Sequence, residues 1–321
     1  MAIVLTNAPD FASAKDLIER GIDVIEIGEA PFAWNLPFSY TRDEQREIAD
    51  LAHRGAAEIC AVIDILMTPE RMENLPEYLK FLVEIHADYL LVGDVGVIEM
   101  LREMEIEIPY IYAPTPLVTN SDQINFFAQD GAYAALISNE IPKNEMAALV
   151  AHTQVPVIIN AFGAVNIQHS RRKLIRNYFD YKNLENNYDE LFIVDPADEK
   201  THYTIYEDAQ GTHTFNTNDL DLMPKLGELY AMGAANENEI YERTKPWPEC
   251  HRKMWIRLNS LFFKDGEKFV KIAGEFKEAW DEIAELTQVD LAEIDANIRA
   301  NFPEGRTYST VFYELDEETI K

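Results

Sequence analysis

Short apolar runs alternate with longer amphipathic segments seven times in the first half of the chain, and this repeat restricts the fold more than any other feature. Each run is typical of a buried strand, and in order they are AIVLTNA, DVIEIGE, EICAVIDIL, DYLLVGD, IPYIYAPT, YAALISNE and VPVIINAFG. Seven successive strand–helix units predict a parallel sheet covered by helices. The count approaches eight and no glycine-rich phosphate motif follows the first strand, so we predict a (β/α)8 TIM-like barrel rather than an open doubly wound sheet. Thr41, Thr68 and Ser121 are the predicted N-caps of three of its helices.

The repeat changes after the seventh strand. Residues 190–216 alternate like a β-hairpin with polar turns, which predicts an inserted ribbon before the last repeat. A helical segment follows, and Ala235–Arg243 is predicted as an unusually polar eighth strand. From residue 244 the chain is rich in aromatic residues with helical spacing. The predicted organisation is therefore a barrel over residues 1–243 and a helical C-terminal appendage over residues 244–321.

The charge of the chain limits its partners. The 57 acidic residues against 28 basic ones give a net charge of −29, which repels a polyphosphate at long range. The acidity is explained either by solubility or by a basic partner, and RNA binding would require a local basic site or a second subunit. No apolar run reaches membrane-spanning length and the first residues lack a basic leader, so a cytoplasmic location is expected. Cys60 and Cys250 lie far apart and indicate neither a disulfide framework nor a thiolate metal site.

Chemistry in a barrel takes place at the carboxyl ends of its strands, so polar residues there are candidates for a site. For any single residue, the alternative is a helix cap or a contact with the backbone. As a set, these carboxylates and amides are typical of a site for a polar small molecule. The candidates at strand ends and in the loops beyond them are Asn7, Glu26, Glu29, Asp64, Asp94, Tyr112, Thr115, Asn120, Asn139, Glu140, Asn160, Glu242 and Arg243.

His169 and His213 are the two histidines that the pattern singles out. His169 precedes Arg171 and Arg172 beyond the seventh strand, and His213 lies near the end of the predicted ribbon. If the ribbon folds over the barrel mouth, both imidazoles and both guanidiniums converge on one anionic ligand, because arginine forms bidentate contacts with carboxylate or phosphate. Alternatively, these arginines begin a solvated helix. Catalysis by a pair of His169 and Ser170 is not expected, since adjacent residues point in different directions, and the histidine spacing predicts no metal site.

Several blocks of the sequence are similar to the collagenase-like peptidases of unassigned catalytic type, the PrtC-like family, and to its short YrrN-like branch. The resemblance covers about residues 7–243 and implies a barrel fold. The blocks include LIERGIDVIEIGE, LPEYLKFLVEIHADYLLVGDVGVIEMLRE, VTNSDQINFFAQDGAYAALISNEI, HSRRKLIRNY and YEDAQGTHTFNTNDLDLMPKL.

The signature of this family is only partly present. Gly163 to Val165 match it, but Ile158 stands where the family has glutamate, and Asn166 and Lys173 stand where it has cysteines. Related members are thought to hold an iron–sulfur cluster with four cysteines, and a chain with two cysteines cannot supply that ligand set.

Three functions follow from the resemblance. The first is a subunit of a system that forms 5-hydroxyuridine at the wobble position of tRNA, with prephenate as co-substrate. Its expected partner is a larger, cysteine-bearing paralogue, or a second copy of this chain, and tRNA would contact mainly the partner. The second is a peptidase. For either of these two functions, the catalytic candidates are Glu29, Glu140, His169 and His213. The third is a noncatalytic assembly subunit. The expected substrate-binding residues are Arg171, Arg172, Asn120, Asn160 and Asp94.

Overall fold

Eight parallel strands form a closed barrel in the computed structural model, which describes residues 3–114, 117–185, 191–234 and 254–310. Seven of them follow one another around the barrel in chain order, and the last, β13, pairs with both β7 and β1. The predicted (β/α)8 barrel is therefore confirmed. The barrel strands are β1 (Val4–Thr6), β2 (Val24–Ile27), β3 (Glu58–Ile63), β4 (Tyr89–Val92), β5 (Tyr110–Tyr112), β6 (Ala132–Leu136), β7 (Val157–Gly163) and β13 (Met254–Leu258).

The strand that closes the barrel lies further along the chain than predicted. Met254–Leu258 occupies the place between β7 and β1, so the prediction that Ala235–Arg243 closes the barrel is wrong; that segment lies outside the described residues. The physical reason is burial. A barrel strand is covered on both faces, and all five residues of MWIRL are buried, whereas ANENEIYER is largely polar. The barrel consequently continues beyond residue 243.

Helices cover the outside of the barrel. Thr41 and Thr68 cap α2 and α3 as predicted, while the cap of α5 is Asn120 and not Ser121. The helix after β13, α9, packs against α1 and thereby completes the ring around the barrel, and α10 packs against α9. The described helices are α1 (Phe11–Glu19), α2 (Arg42–Gly55), α3 (Pro69–Glu84), α4 (Val95–Glu103), α5 (Ser121–Gln129), α6 (Lys143–His152), α7 (Leu174–Lys182), α8 (Leu226–Ala234), α9 (Gly266–Asp281) and α10 (Gln288–Ala300), with a 3-10 turn at Met223–Lys225.

A small antiparallel sheet is inserted between β7 and β13. Its strand order is β8-β11-β10-β9, and it confirms the ribbon predicted near residues 190–216, whereas β8 was not predicted as a strand. An apolar layer that includes Trp34, Phe215 and Leu261 packs this sheet over the barrel mouth. The inserted strands are β8 (Asn166–Ser170), β9 (Leu191–Asp195), β10 (Asp198–Glu207) and β11 (Thr212–Phe215), and β12 (Asn218–Asp221) then pairs with β7 and with β14 (Thr307–Ser309).

The barrel interior changes from apolar to polar along the strands. Inward-facing Val24, Ile158 and Trp255 belong to one buried cluster near the amino ends. Two residues later on the same three strands, the inward positions carry a carboxylate, an amide and a guanidinium, because side chains alternate with a period of two. The carboxyl ends of the strands therefore form a polar layer directly beneath the small sheet. This layer consists of Glu26, Asn160 and Arg257.

Gly163 is a position that only glycine fits. Its φ is +101°, and a Cβ there would lie 2.0 Å from the carbonyl oxygen of Asn259. We expect Gly163→Ala to lower the free energy of unfolding by at least about 3 kcal/mol, since it combines backbone strain with a steric overlap. Gly305→Ala is the control, because its φ is +79° and no atom lies within 4 Å of the added Cβ; about 1 kcal/mol is expected there. Urea unfolding followed by circular dichroism measures both, and equal losses would contradict the steric argument.

Candidate active site at the barrel mouth

A fully buried ion pair joins β2 to β13 in the barrel interior. Glu26 and Arg257 are 0% and 2% exposed, and they form two parallel hydrogen bonds, Nε to Oε1 at 2.5 Å and Nη2 to Oε2 at 2.7 Å. Burial alone lowers the pKa of Arg257, but the adjacent Glu26 carboxylate outweighs this effect and the net shift is upward. The guanidinium therefore stays charged, and its two parallel bonds to Glu26 have the geometry that arginine prefers with carboxylates.

Two amides contact the ion pair, and a third is hydrogen-bonded to one of them. Asn160 accepts from the guanidinium at 3.1 Å and donates to Asn139 at 3.1 Å. Asn7 donates to the Glu26 carboxylate at 3.2 Å and accepts from the backbone N–H and the hydroxyl of Ser260. Four of the strand-end candidates from the sequence thus lie in one connected network. Such a network fixes the polar floor of the barrel mouth because each member orients its neighbours.

Removal of one partner of this pair should be strongly destabilising. Arg257→Met leaves the Glu26 carboxylate buried without a counter-charge, so we expect a loss of about 3–5 kcal/mol in the free energy of unfolding. The double variant Glu26→Gln/Arg257→Met removes the orphaned charge and should recover part of that loss. Urea denaturation of both variants and the wild type tests this. A double variant no more stable than Arg257→Met would show that packing, and not charge, dominates here.

The small sheet holds two imidazoles in contact above this floor. His169 on β8 lies directly opposite His213 on β11, and their Nδ1 atoms are 3.2 Å apart. The Nε2 atom of His213 lies 2.9 Å from Oδ1 of Asp208, and the Trp34 ring stacks on both imidazoles at centroid distances of 5.1 and 5.4 Å. The ribbon therefore brings His169 and His213 together at the barrel mouth.

The hydrogen bonds assign a direction to this Asp–His–His chain. Burial raises the pKa of Asp208, but the hydrogen bond from His213 outweighs it and the net shift is downward, so Asp208 is a carboxylate acceptor. His213 donates through Nε2, and in its neutral form it accepts at Nδ1 from His169. Burial, and then His213, lower the pKa of His169 to about 4, so this ring is neutral at pH 7. Its Nε2 lone pair is buried and has no hydrogen-bond partner among the described residues. That nitrogen is available to accept a hydrogen bond or a proton.

Two guanidiniums lie beside His169. Burial, and then the charge of Arg171, lower the pKa of Arg71, and both arginines lower the pKa of His169. Arg71 donates to the carbonyl of Leu66 and to the side chain of Gln210. Within the described ranges, neither guanidinium forms an ion pair with a carboxylate. Two neighbouring cations without an ion pair in the described ranges, in a chain of charge −29, make this rim a candidate anion site.

The other predicted site residues have local contacts. Asp94 and Asn120 cap α4 and α5 through their side chains. Glu29 forms a 2.9 Å ion pair with Arg42 and lines a cavity of about 160 Å³ next to Trp34. Tyr112 is buried, and its hydroxyl accepts from the side chain of Gln123 at 3.1 Å. Two others are exposed, Glu140 on the turn after β6 and Arg172 after β8, and the carbonyl of Arg172 accepts from Thr212. The last three candidates, Thr115, Glu242 and Arg243, lie outside the described residues.

Four residues of the site were not predicted from the sequence. Arg257 leaves a detectable signal, because it is the one charged residue in the apolar run MWIRL. Asp208 also leaves one, since it precedes Gly211 in the turn DAQG, a typical turn sequence. Trp34 and Arg71 carry no local signal, because each is brought to the site only by the closure of the barrel.

Asp64, at the end of β3, links the polar floor to the small sheet. Its Oδ1 accepts from the backbone N–H of Trp34 at 2.9 Å, and its carbonyl accepts from the Trp34 indole at 3.2 Å. Burial raises the pKa of Asp64 to about 7 in spite of that hydrogen bond and of the nearby Arg257. The carboxyl group is therefore partly protonated at neutral pH.

The raised pKa of Asp64 makes stability depend on pH. Between about pH 4 and about pH 7 the folded protein keeps a proton that the unfolded chain has lost, so the contribution of this carboxyl to stability falls as pH rises through that window. Asp64→Asn lacks this loss and keeps an acceptor for Trp34. We expect the melting temperature of the variant, relative to the wild type, to increase between pH 5 and pH 7.5. A difference that stays constant across this range would contradict the assignment.

The described residues offer neither an accessible thiol nor a cluster of metal-binding side chains. Cys60 is buried in the barrel interior, and burial raises the pKa of its thiol well above the usual value. In the part of the chain that the structure describes, no group of three or more His, Cys, Asp or Glu side chains is arranged to hold a metal ion. The helices in these ranges are too short or too polar to cross a membrane.

The fold and the site define a (β/α)8-barrel protein with a polar mouth at the carboxyl ends of its strands. The chain belongs to peptidase family U32, whose profile matches residues 9–246. It is 25% identical over 236 residues to tRNA hydroxylation protein P2 of Bacillus subtilis (strain 168), which covers 72% of this chain and 76% of that protein. It is 22% identical over 307 residues to tRNA hydroxylation protein P of Escherichia coli (strain K12), with 80% and 67% covered.

Two further proteins are similar over a smaller part of this chain. The 23S rRNA 5-hydroxycytidine C2501 synthase of Escherichia coli (strain K12) is 23% identical over 170 residues, which is 52% of this chain and 25% of that protein. Among solved structures, the U32 peptidase Mk0906 is 18% identical and superposes with a TM-score of 0.47 over 64% of this chain and 87% of that one.

Proposed function

We propose that this protein is a subunit of a system that hydroxylates the wobble uridine of tRNA to 5-hydroxyuridine. The family relatives named as tRNA hydroxylation proteins support the reaction class. The observation that carries the proposal is the geometry beside His169, where a neutral imidazole, whose Nε2 has no partner among the described residues, lies near two guanidiniums that form no ion pair in those ranges. This arrangement suits a small anion that also carries a hydroxyl group.

The anion that fits this proposal is prephenate, acting as co-substrate. It is a dianion, so its carboxylates match Arg71 and Arg171, which bind as planar, always charged donors. Its hydroxyl group would donate to the Nε2 atom of His169, and Asp208 holds that imidazole in the required tautomer through His213. The chain thus binds and orients the small molecule, and Trp34 and the small sheet keep water from the imidazole pair.

The proposed assembly is a heterodimer with a larger, cysteine-bearing paralogue in the cytoplasm, with a homodimer as the alternative. The charge of −29 opposes binding of a polyanion over a wide surface, so the partner is proposed to hold most of the tRNA backbone. A noncatalytic role for this chain in the same assembly would need no anion at Arg71 and Arg171.

Proteolysis is the second candidate, and family membership is what favours it. A serine peptidase needs a base within hydrogen-bonding reach of its nucleophile. Ser170 follows His169 on the same strand, so the two side chains point to opposite faces of the small sheet. A peptidase of this chain should cleave gelatin or peptides without a partner, which separates the two functions.

Nucleoside mass spectrometry of tRNA from cells grown without oxygen tests the proposal. Deletion of the gene, together with any paralogue of overlapping function, should abolish 5-hydroxyuridine derivatives, and the wild-type gene should restore them. Arg71→Ala and Arg171→Ala should each reduce the restored level at least about tenfold, because a desolvated charged contact is lost. Arg176→Ala, an exposed cation on α7, is the matched control and should restore the modification fully.

A second measurement reports on the small molecule itself. Prephenate should raise the melting temperature of the purified wild type and of Arg176→Ala, and it should leave Arg71→Ala and Arg171→Ala unchanged. Unchanged tRNA in the deletion strain would overturn the proposed function. Loss of the modification without any stabilisation by prephenate would leave tRNA hydroxylation but reject the anion site.

A further inference from the structure

A cleft of about 790 Å³ lies outside the histidine pair, on the other side of the small sheet's Tyr206. It is bounded by β9 and β10, by residues 261–268 after β13, and by residues 303–307. Its volume falls within the range of about 300–1,000 Å³ that is typical of small-molecule sites. We propose that this cleft binds one unstacked nucleotide of a single-stranded RNA segment. The choice of RNA among planar anions rests on the proposed function.

Aromatic rings on two sides of the cleft would hold the base. Phe192 on β9 is 51% exposed, although it faces a concave surface where a ligand could cover it. Tyr206 lies on the same face of the small sheet as Phe192, and Phe262, in the segment after β13, contacts Tyr206 edge to face at 6.0 Å. Proteins bind unstacked bases by stacking them on exposed aromatic rings, since every base has a π-face.

The charge of the cleft differs from that of the rest of the chain. Its lining carries three lysine or arginine side chains and two carboxylates, whereas the whole chain has 28 basic and 57 acidic residues. Arg306 is already paired with the buried Asp219 and lies 4.2 Å from the centre of the Phe262 ring, so it supports the wall. Lys264 and Lys268 form no ion pair among the described residues and are free to bind phosphate.

The cleft lining also includes two carboxylates, Asp265 and Glu304. Asp265 accepts a hydrogen bond from the backbone N–H of Lys268 at 3.2 Å, as the N-cap of α9, and Glu304 is exposed at the opposite rim. His202, also in the lining, packs edge to face against Phe192 at 5.8 Å. The ring of Phe192 is thereby positioned by a neighbour and does not need a ligand to be ordered.

The cleft is connected to the imidazole pair by a single aromatic ring. Tyr206 lines the cleft and stacks on His213 with a centroid distance of 4.8 Å. A base held against Tyr206 would therefore lie one ring away from His213 and from its contact with His169. This places the nucleotide and the proposed anion on opposite sides of the same stack.

The test is binding of a seven-nucleotide oligouridylate with a central 4-thiouridine to the full-length protein at low salt. Fluorescence anisotropy gives the affinity, and ultraviolet crosslinking followed by peptide mass spectrometry gives the contact. Phe192→Ala and Lys264→Gln replace exposed side chains, so folding should be kept. Phe126→Ala and Lys80→Gln are the matched controls, because both residues are exposed and lie outside the cleft.

We expect Phe192→Ala to weaken binding about tenfold, the effect of losing one stacked base. Lys264→Gln should lower the slope of log affinity against log salt by about 0.7, the value for one phosphate contact in single strands. The controls should stay within about twofold of the wild type, and the crosslink should fall within the cleft. Absence of binding, equal binding by Phe192→Ala, or a crosslink to the basic helix α7 would each overturn the proposal.

These outcomes separate this proposal from the proposed function. If the deletion strain loses 5-hydroxyuridine but Phe192→Ala binds the oligonucleotide as well as the wild type does, the nucleotide site in the cleft is rejected and the proposed function is kept. Specific crosslinking in the cleft, combined with unchanged tRNA in the deletion strain, keeps the nucleotide site and rejects the hydroxylation.

Discussion

The ion pair between Glu26 and Arg257 is the constraint on which the barrel mouth depends. Two charges are removed from water at the carboxyl ends of β2 and β13, and such a pair is tolerated only when geometry and further hydrogen bonds compensate for desolvation. The two parallel bonds and the surrounding amides provide that compensation. The pair therefore orients Asn7 and Asn160, and it favours the arrangement in which the eighth strand takes its place beside the first.

Trp34 connects this floor to the chemistry above it. Its backbone and indole bind Asp64, and its ring lies against both imidazoles. Gln210, in the turn between β10 and β11, contacts Arg71 and the carbonyl of Ala30, so the small sheet is attached to the barrel at a second point. Since these contacts come from the loops after β2 and β3 and from the start of α3, the position of the imidazole pair follows from the closure of the barrel. The barrel and the small sheet therefore both contribute residues to the site.

The sequence carries the features that depend on neighbours along the chain. Seven strand–helix units, the caps at Thr41 and Thr68 and the alternation of the inserted ribbon are local patterns, and they predict the architecture. The eighth strand and β8 were missed because each is defined by pairing with distant strands.

The site follows the same division between local and distant contacts. Glu26, Asn160, His169 and His213 could be predicted as candidates from their places at strand ends and in the ribbon. The partner of Glu26 could not, because Glu26 and Arg257 are 231 residues apart, whereas the approach of His169 to His213, 44 residues apart, followed from the predicted ribbon. Whether an isolated carboxylate caps a helix, as Asp94 does, or sits in a network, as Glu26 does, is decided only by which strands become neighbours.

The late position of β13 in the chain also affects how the protein is made. Until the ribosome has added about 90 residues beyond Gly163, β1 and β7 have unsatisfied edges and Glu26 has no counter-ion; at about 5–20 residues per second this interval lasts roughly 5–20 s. The whole inserted sheet is synthesised within it. A nascent chain of this kind presents two open, apolar strand edges at once, so its yield in the cell should depend on chaperone capacity more than its final stability would suggest.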